Sequence, residues 1–365
     1  MISITFRTLL GSTFAVLLAG GLMDGPTVQG QTLSAVEQLY AELYKLPAAE
    51  RLKKLEEGAA KEPTFNFLTG IRGRDGQALM KFWDQRYPNL KIARSELGAQ
   101  DAAARIYAEE KAGKHLTDVG SMSVADTALL LKDNLTARYQ TPATDRVLPQ
   151  YKQLLDPNHK YIPWLWSEHG IAYNPTMLKP EDAPKAWFDL CDPKYKGQVS
   201  FDPLENRFLT GMLAMLGEEK LQEWLQCVGK NEPIIMRGHT VRLNLMMAGD
   251  HAIMGENYFY QGIRDNEKNP KKAPFKAVYT APVLGYANIE LINRNAPNPY
   301  RAALYVDWSL DTDAQGYMAS LYRSPVSMKH PFMPDNVPLV MYGAEDPAVS
   351  ERIAGYWNKW VGDKR

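Results

Sequence analysis

The feature that most constrains the fold is a repeated unit of strand, glycine-containing turn and helix in the first third of the chain. Thr64-Phe-Asn-Phe-Leu68 reads as a strand from its aromatic and β-branched content. It runs into Thr69-Gly-Ile-Arg-Gly-Arg-Asp-Gly76 and then into the helical pattern Leu79, Phe82, Trp83, Tyr87. The unit returns with a strand over Leu90–Glu96, a helix over Ala99–Ala112 and a third short strand at Thr117-Asp118-Val119. Gly120-Ser-Met-Ser123 reads as a loop before another helix over Val124–Lys132. A chain written this way is α/β. Its loops at 69–76 and 120–123 fall on one edge of the first sheet, beyond the carboxyl ends of the strands, where such sheets bind ligands.

At 365 residues the chain exceeds the usual size of a single core, so two lobes are expected. Two apolar segments read as connections between them. The first is Tyr161-Ile-Pro-Trp-Leu-Trp166 with Gly170-Ile-Ala-Tyr-Asn174; the second is Ala281–Asn293. The set of strand and helix signals between them forms an inserted lobe, 167–284, and the flanking pieces 63–166 and 285–365 form the other. Two crossing strands make a hinge that permits closure on a ligand. Residues 31–62 read as an appendage of two short amphipathic helices broken at Pro47. Ahead of them, Arg7, the apolar stretch Leu9–Leu22 and the small-residue site Val28-Gln29-Gly30 make residues 1–30 a secretory signal peptide. An uncleaved anchor is the alternative, although the stretch is short and glycine-interrupted for a span of roughly 20 residues.

Lys+Arg 42 balances Asp+Glu 42, which argues against nucleic acid, since phosphate-backbone binding needs clustered positive charge. No Gly-x-Ser-x-Gly elbow, His-Glu-x-x-His, Cys-x-x-Cys or phosphate-binding glycine loop with lysine occurs, so the expectation is a protein that is not an enzyme and carries no cofactor. The two cysteines, Cys191 and Cys227, either form one bridge in an oxidising compartment or pack as two buried thiols.

Four further segments carry a resemblance. They are Gly170-Ile-Ala-Tyr-Asn-Pro175; Trp187–Gly197 with Val199-Ser-Phe-Asp-Pro203; Met247-Ala-Gly-Asp250 leading to Asn257-Tyr-Phe-Tyr260; and Ala296–Ala303 with Asp313-Ala-Gln315. In this order they resemble the bacterial periplasmic solute-binding proteins of the iron(III)-type branch. The resemblance implies the two-lobed type 2 periplasmic-binding-protein fold, each lobe a mixed sheet flanked by helices. It also implies a monomer in the periplasm that takes a small-molecule ligand and delivers it to the permease of an ABC transporter. A ligand sensor feeding a membrane receptor uses the same fold.

Iron-binding members of that family use a histidine, an acidic residue and two adjacent tyrosines. Here Arg72 stands for the histidine, Ser121-Met122-Ser123 for the carboxylate, and Tyr258-Phe259 for the tyrosine pair, with Tyr260 as the substitute. A ferric ion wants anionic oxygen ligands, and Tyr258 with Tyr260 would be its site. An arginine at the cleft edge instead matches carboxylate, phosphate or phosphonate, unless it is tied up with Asp75. Thr69, Arg72, Ser121 and Ser123 are therefore candidate ligand residues of the first lobe. In the second lobe Met236-Arg-Gly-His-Thr240 precedes a helix, so Arg237 and Thr240 suggest an anion subsite, against the plainer role of Thr240 as a cap. Asn206-Arg207 is a weaker example of such a helix start. Trp166, Tyr258, Tyr260 and Tyr286 are candidates to wall the pocket, with core packing as the competing role. The Glu168-His169 pair reads as structural.

Overall fold

The computed structural model describes residues 32–71, 73–203, 206–343 and 346–362. The signal peptide expected at 1–30 and the candidate Arg72 lie outside the described residues. The elements in order are α1 (Ala35–Tyr44), α2 (Ala48–Ala59), β1 (Phe65–Thr69), α3 (Gly73–Arg86), β2 (Ile92–Glu96), α4 (Ala99–Lys111), β3 (Val119–Ser123), α5 (Ala128–Lys132) and β4 (Ile162–Tyr173). Then follow β5 (Val199–Phe201), α6 (Asn206–Leu216), α7 (Glu218–Lys230), β6 (Ile234–Ile235), α8 (His239–Ala248), β7 (Ile253–Asn257), α9 (Phe259–Lys268) and β8 (Lys276–Ala277). The chain ends with β9 (Val283–Ile292), α10 (Pro299–Ser309), α11 (Thr312–Ser320), β10 (Ser324–Pro325), β11 (Leu339–Tyr342) and α12 (Pro347–Trp360).

The strands lie in the order β2-β1-β3-β9-β4-β7-β5-β6. In lobe 1, β1 pairs in parallel with β2 and β3, and β3 pairs antiparallel with the end of β9. In lobe 2, β7 pairs in parallel with β5, and β5 with β6. The long strands β4 and β9 belong to both lobes. They run antiparallel from Ile162↔Glu290 to His169↔Leu284, after which β4 leaves β9 and pairs with β7 and β8. All of β4 except Ser167 is buried, which is why the sequence there reads as a near-continuous apolar run without alternation. One core gathers Phe65, Phe67, Trp83, Trp164 and Tyr305 and continues beneath the hinge to Met254 and Phe259. A second core in lobe 2 gathers Trp187, Phe201, Phe208 and Trp224.

Two sequence expectations need correction. Gly120–Ser123 is not a loop: β3 extends through Ser123 because both of its edges find partners, Thr69 opposite Ser121 on one side and Asn288 opposite Ser123 on the other. Nor does the whole of 285–365 belong to lobe 1. β11 pairs with the first half of β9, Leu339 opposite Val283 and Tyr342 opposite Tyr286. Ile353 and Trp357 of α12 and Val361, which caps it, spaced four apart, then enter the lobe 2 core beside Leu221, Trp224 and Val228 of α7. Gly229 permits this docking, since a Cβ there would lie 2.0 Å from the Trp360 carbonyl oxygen.

The helices α1 and α2 are tied to α10. The hydroxyl of Tyr40 donates to Pro299 O at 2.9 Å, and Arg51 pairs with Asp307. The Glu62 carboxylate accepts the Tyr300 and Arg301 N–H groups at 3.0 and 2.8 Å. α10 has no side-chain cap of its own at Asn298, so Glu62 supplies the negative charge that a helix N-terminus favours. In lobe 2, the sulfurs of Cys191 and Cys227 are bonded, joining the turn at Trp187–Cys191 to α7.

Candidate functional site

Where the lobes face one another lies a cleft of about 480 Å³. Lobe 1 contributes Gly70 and Ile71 after β1, Ser121, Met122 and Ser123 of β3, and Leu165, Trp166 and Ser167 of β4. Lobe 2 contributes Arg207 of α6, Gly238–Val241 at the start of α8, Asn257 ending β7, and Tyr258, Tyr260 and Gln261 at the start of α9. Tyr286 and Asn288 of β9 and Arg323 after α11 complete the wall. The cleft thus sits beyond the carboxyl ends of β1 and β3, the position in which open α/β sheets bind ligands.

Of the sequence candidates, Ser121, Ser123, Trp166, Thr240, Tyr258, Tyr260 and Tyr286 line this cleft. Thr69 does not: its hydroxyl accepts the Ile71 N–H at 3.0 Å, shaping the turn that presents Gly70 and Ile71 instead. Arg237 is exposed and stays outside, since the chain turns at Gly238, whose φ is +97°, before α8 begins. Ser123 is already engaged, its Oγ accepting the Ala125 N–H at 3.2 Å.

The cleft arginines are Arg207 and Arg323. Arg207 carries the weaker of the two helix-start signals in the sequence; Arg323 has no local motif, and only the corner after α11 brings it to the cleft. The Arg207 guanidinium lies 3.5 Å from Asp126 of lobe 1 and 5.5 Å from the Tyr286 ring centroid. α8 starts at Gly238, which has no side chain to cap it; the Asp202 carboxylate accepts the Gly238 N–H at 2.7 Å from outside the helix. Beside it Asn257 is 1% exposed, and its Nδ2 has no hydrogen-bond partner among the described residues. A buried, unpaired amide donor is costly, by roughly 1–3 kcal/mol. An anionic oxygen placed there would relieve that cost.

Beneath this wall Arg242 and Glu256 form a fully buried ion pair. His239 Nδ1 lies 3.1 Å from Arg242 Nη2 and 3.4 Å from Glu256 Oε2, which orients the imidazole at the cleft surface. His239, His169, Tyr258 and Tyr286 cluster: the His239 and Tyr258 ring centroids are 4.4 Å apart, and the Tyr258 and Tyr286 hydroxyls 3.0 Å. The second tyrosine beside Tyr258 is therefore Tyr286 rather than Tyr260. Tyr260 faces the other way, under the Arg323 guanidinium at 4.2 Å.

Glu168, on the hinge strand, is buried. Burial pushes its carboxyl up to about 7, against the pull of Ser324, the Tyr260 N–H and Arg323. Its oxygens accept the Tyr260 N–H at 3.2 Å and the Ser324 hydroxyl at 3.1 Å, so it braces the start of α9 against β10, in line with a structural role. Among the described residues, no group of three or more His, Cys, Asp or Glu side chains is arranged to hold a metal ion.

A model of the bacterial extracellular solute-binding protein family matches residues 119–345, more than half of the chain. The chain is 27% identical over 186 residues to the Fe(3+)-binding periplasmic protein of Serratia marcescens, covering 46% of this chain and 54% of that protein. It spans about half the length of the first curated relatives it matches. Among solved structures, iron-bound HitA from Pseudomonas aeruginosa superposes with a TM-score of 0.68 at 19% identity, covering 81% of this chain and 98% of that one. The periplasmic binding protein AfuA from Actinobacillus pleuropneumoniae, with fructose-6-phosphate bound, superposes with a TM-score of 0.64 at 17% identity, covering 82% and 98%. These likenesses agree with the lobe topology derived above, and the chain belongs to the bacterial extracellular solute-binding proteins, with the two-lobed type 2 periplasmic binding fold.

Proposed function

We propose that the chain is the periplasmic receptor of an ABC importer, capturing a small organic anion, a carboxylate, phosphate ester or phosphonate, and handing it as a monomer to the permease. The observation that carries this reading is the lobe 2 wall: the Nδ2 of buried Asn257, without a partner among the described residues, the Arg207 guanidinium and the start of α8 line one cleft. Backbone N–H groups, a helix dipole and an arginine fork are complementary to anionic oxygen. The cleft volume suits an organic solute, which fills a few hundred Å³, better than a bare ion. AfuA, a structural neighbour, holds a sugar phosphate.

Native mass spectrometry of freshly purified protein is expected to find one small anion per chain. Replacing Asn257 by alanine is expected to weaken its binding by about 1–3 kcal/mol, roughly 5- to 150-fold, read by calorimetry. A neutral sugar or a polyamine in the cleft would overturn the reading.

Stoichiometric retention rather than turnover is supported by the arrangements among the described residues that resemble a catalytic triad. Ser200 Oγ lies 2.9 Å from His251 Nε2, and Asp250 Oδ2 lies 3.4 Å from His251 Nδ1, but Ser200 and His251 are fully buried and none of the three lines the cleft. Ser324 contacts both His330 and Glu168, but His330 Nδ1 accepts the Met333 and Phe332 N–H groups at 3.1 and 3.4 Å. Its ring proton therefore sits on Nε2 and is donated to Ser324, so the histidine cannot act as the base for that hydroxyl. Burial also drags the imidazole down to about 3.

A ferric reading rests on the 3.0 Å approach of the Tyr258 and Tyr286 hydroxyls and on the relative named for Fe(3+). Two phenolates supply only part of the anionic oxygen that a ferric ion wants. The organic-anion reading expects no tyrosinate-to-iron charge-transfer colour on adding ferric nitrilotriacetate. A band that appears in the wild type and is bleached in Tyr258→Phe would reassign the cargo to iron.

A further inference from the structure

We propose that Arg323 contacts the anion from the lobe 1 side and that closure itself assembles this contact, through a clasp between α9 and the corner that follows α11. The proposal rests on the anion reading of the cleft given above and adds to it a residue and a charge preference.

Tyr260, Arg264 and Glu267 occupy one face of α9 at i, i+4 and i+7. That face meets lobe 1 at three points. Tyr322 donates its hydroxyl to Glu267, Arg264 Nη1 lies 3.5 Å from Asp75 Oδ1 on α3, and the Arg323 guanidinium lies over the Tyr260 ring. Tyr322 holds a φ of +65°, a left-handed conformation that a tyrosine rarely adopts, and the contacts on both sides of the corner fix it there.

Arg323 is the only described residue that both belongs to this clasp from lobe 1 and lines the cleft. Asp75 accepts from its Nε and Nη2 at 3.0 and 2.9 Å. A guanidinium has five N–H donors, so part of the fork remains to face the cleft. Tyr260 stacks on the flat face of the cation and holds its plane. Asp75 holds the Arg323 fork within lobe 1, while the stacking ring and Arg264 come from lobe 2, so the fork is held on both sides only when the lobes meet. Asp75 is the positioning residue. It pairs with Arg264 and, at 4.0 Å, with the exposed Arg74 as well as with Arg323, and Asp265 lies 3.7 Å from Arg264, so these three arginines and two carboxylates leave this end of the cleft with roughly a single net positive charge. That favours a singly charged end group over a densely charged one.

The test uses inorganic phosphate, benzoate and citrate as probes, with thermal shift and calorimetry on the full chain. The wild type is expected to respond to at least one of them. Arg323→Ala is expected to lose at least ten-fold in affinity for that probe, Arg323→Lys to fall between, and Arg237→Ala, outside the cleft, to match the wild type. Asp75→Asn is expected to raise the citrate-to-benzoate affinity ratio several-fold, a change in selectivity that mere loss of packing would not produce. Wild-type affinity in Arg323→Ala or Arg323→Lys overturns the assignment and leaves the anion cleft standing. An unchanged ratio in Asp75→Asn overturns the charge preference. No response of the wild type to any of the three probes counts against the anion reading itself, and the role of Arg323 falls with it.

Discussion

Arg242→Met is expected to lower the unfolding free energy by about 3–5 kcal/mol, because it strands a carboxylate in the interior of lobe 2. Arg242 and Glu256 are both fully buried. The guanidinium bonds the Glu256 carboxylate and donates to Ser200 O at 3.2 Å and Glu256 O at 3.3 Å. Without it, Glu256 keeps the Asp202 N–H at 3.1 Å and its neighbour His239. Urea denaturation reads the loss. Adding Glu256→Gln is expected to recover part of it, since an uncharged amide costs less to bury than an unpaired anion. A single-variant loss below about 1 kcal/mol would mean that lobe 2 rehydrates the carboxylate without unfolding. The pair also steadies His239, so probe affinity is expected to fall in parallel with stability.

The second large effect is expected from Cys191→Ser with Cys227→Ser. The bridge spans 36 residues of sequence, and loop-closure entropy for that length corresponds to about 3–4 kcal/mol. The serine pair should therefore unfold at distinctly lower denaturant, and reduced wild type should behave like it. The bridge lies beside two large side chains in contact: Trp224 Nε1 donates to Trp187 O at 2.8 Å, and the rings meet edge to face. Equal denaturation midpoints for oxidised and reduced protein would show that this packing alone fixes the turn to α7.

What the sequence disclosed and what it withheld follow from the range of the interactions. The α/β alternation and the two crossing segments are legible because β4 and β9 are buried on both faces and so carry long apolar runs. The status of Gly120–Ser123 is set by strands distant in sequence on either side, and small residues give no propensity signal for it. The amphipathic pattern of α12 marks a helix, but the surface it docks on is made by α6 and α7, more than a hundred residues earlier. In the cleft, the serines and aromatic rings are recognisable because the loops after β1 and β3 and the crossing strands place them. Of the cleft arginines the helix start marks Arg207 only weakly, and nothing local marks Arg323. Whether an arginine faces the cleft or solvent depends on single backbone conformations, Gly238 turning Arg237 outward and Tyr322 delivering Arg323 inward. The sequence likewise offers Tyr260, two residues away, as the partner of Tyr258, while the fold brings up Tyr286 from the other crossing strand.

The return of the chain to lobe 2 after α11 bears on the order in which the two lobes can fold. β11, α12 and the residue that caps α12 supply an edge strand and four core residues, Tyr342, Ile353, Trp357 and Val361, to a lobe whose other parts come from the middle of the chain. At the opposite end, Glu62 and α2 wait for α10 before their own contacts exist. Lobe 1 therefore cannot complete its core until α10 has been made, and lobe 2 cannot complete its own until α12 has been made.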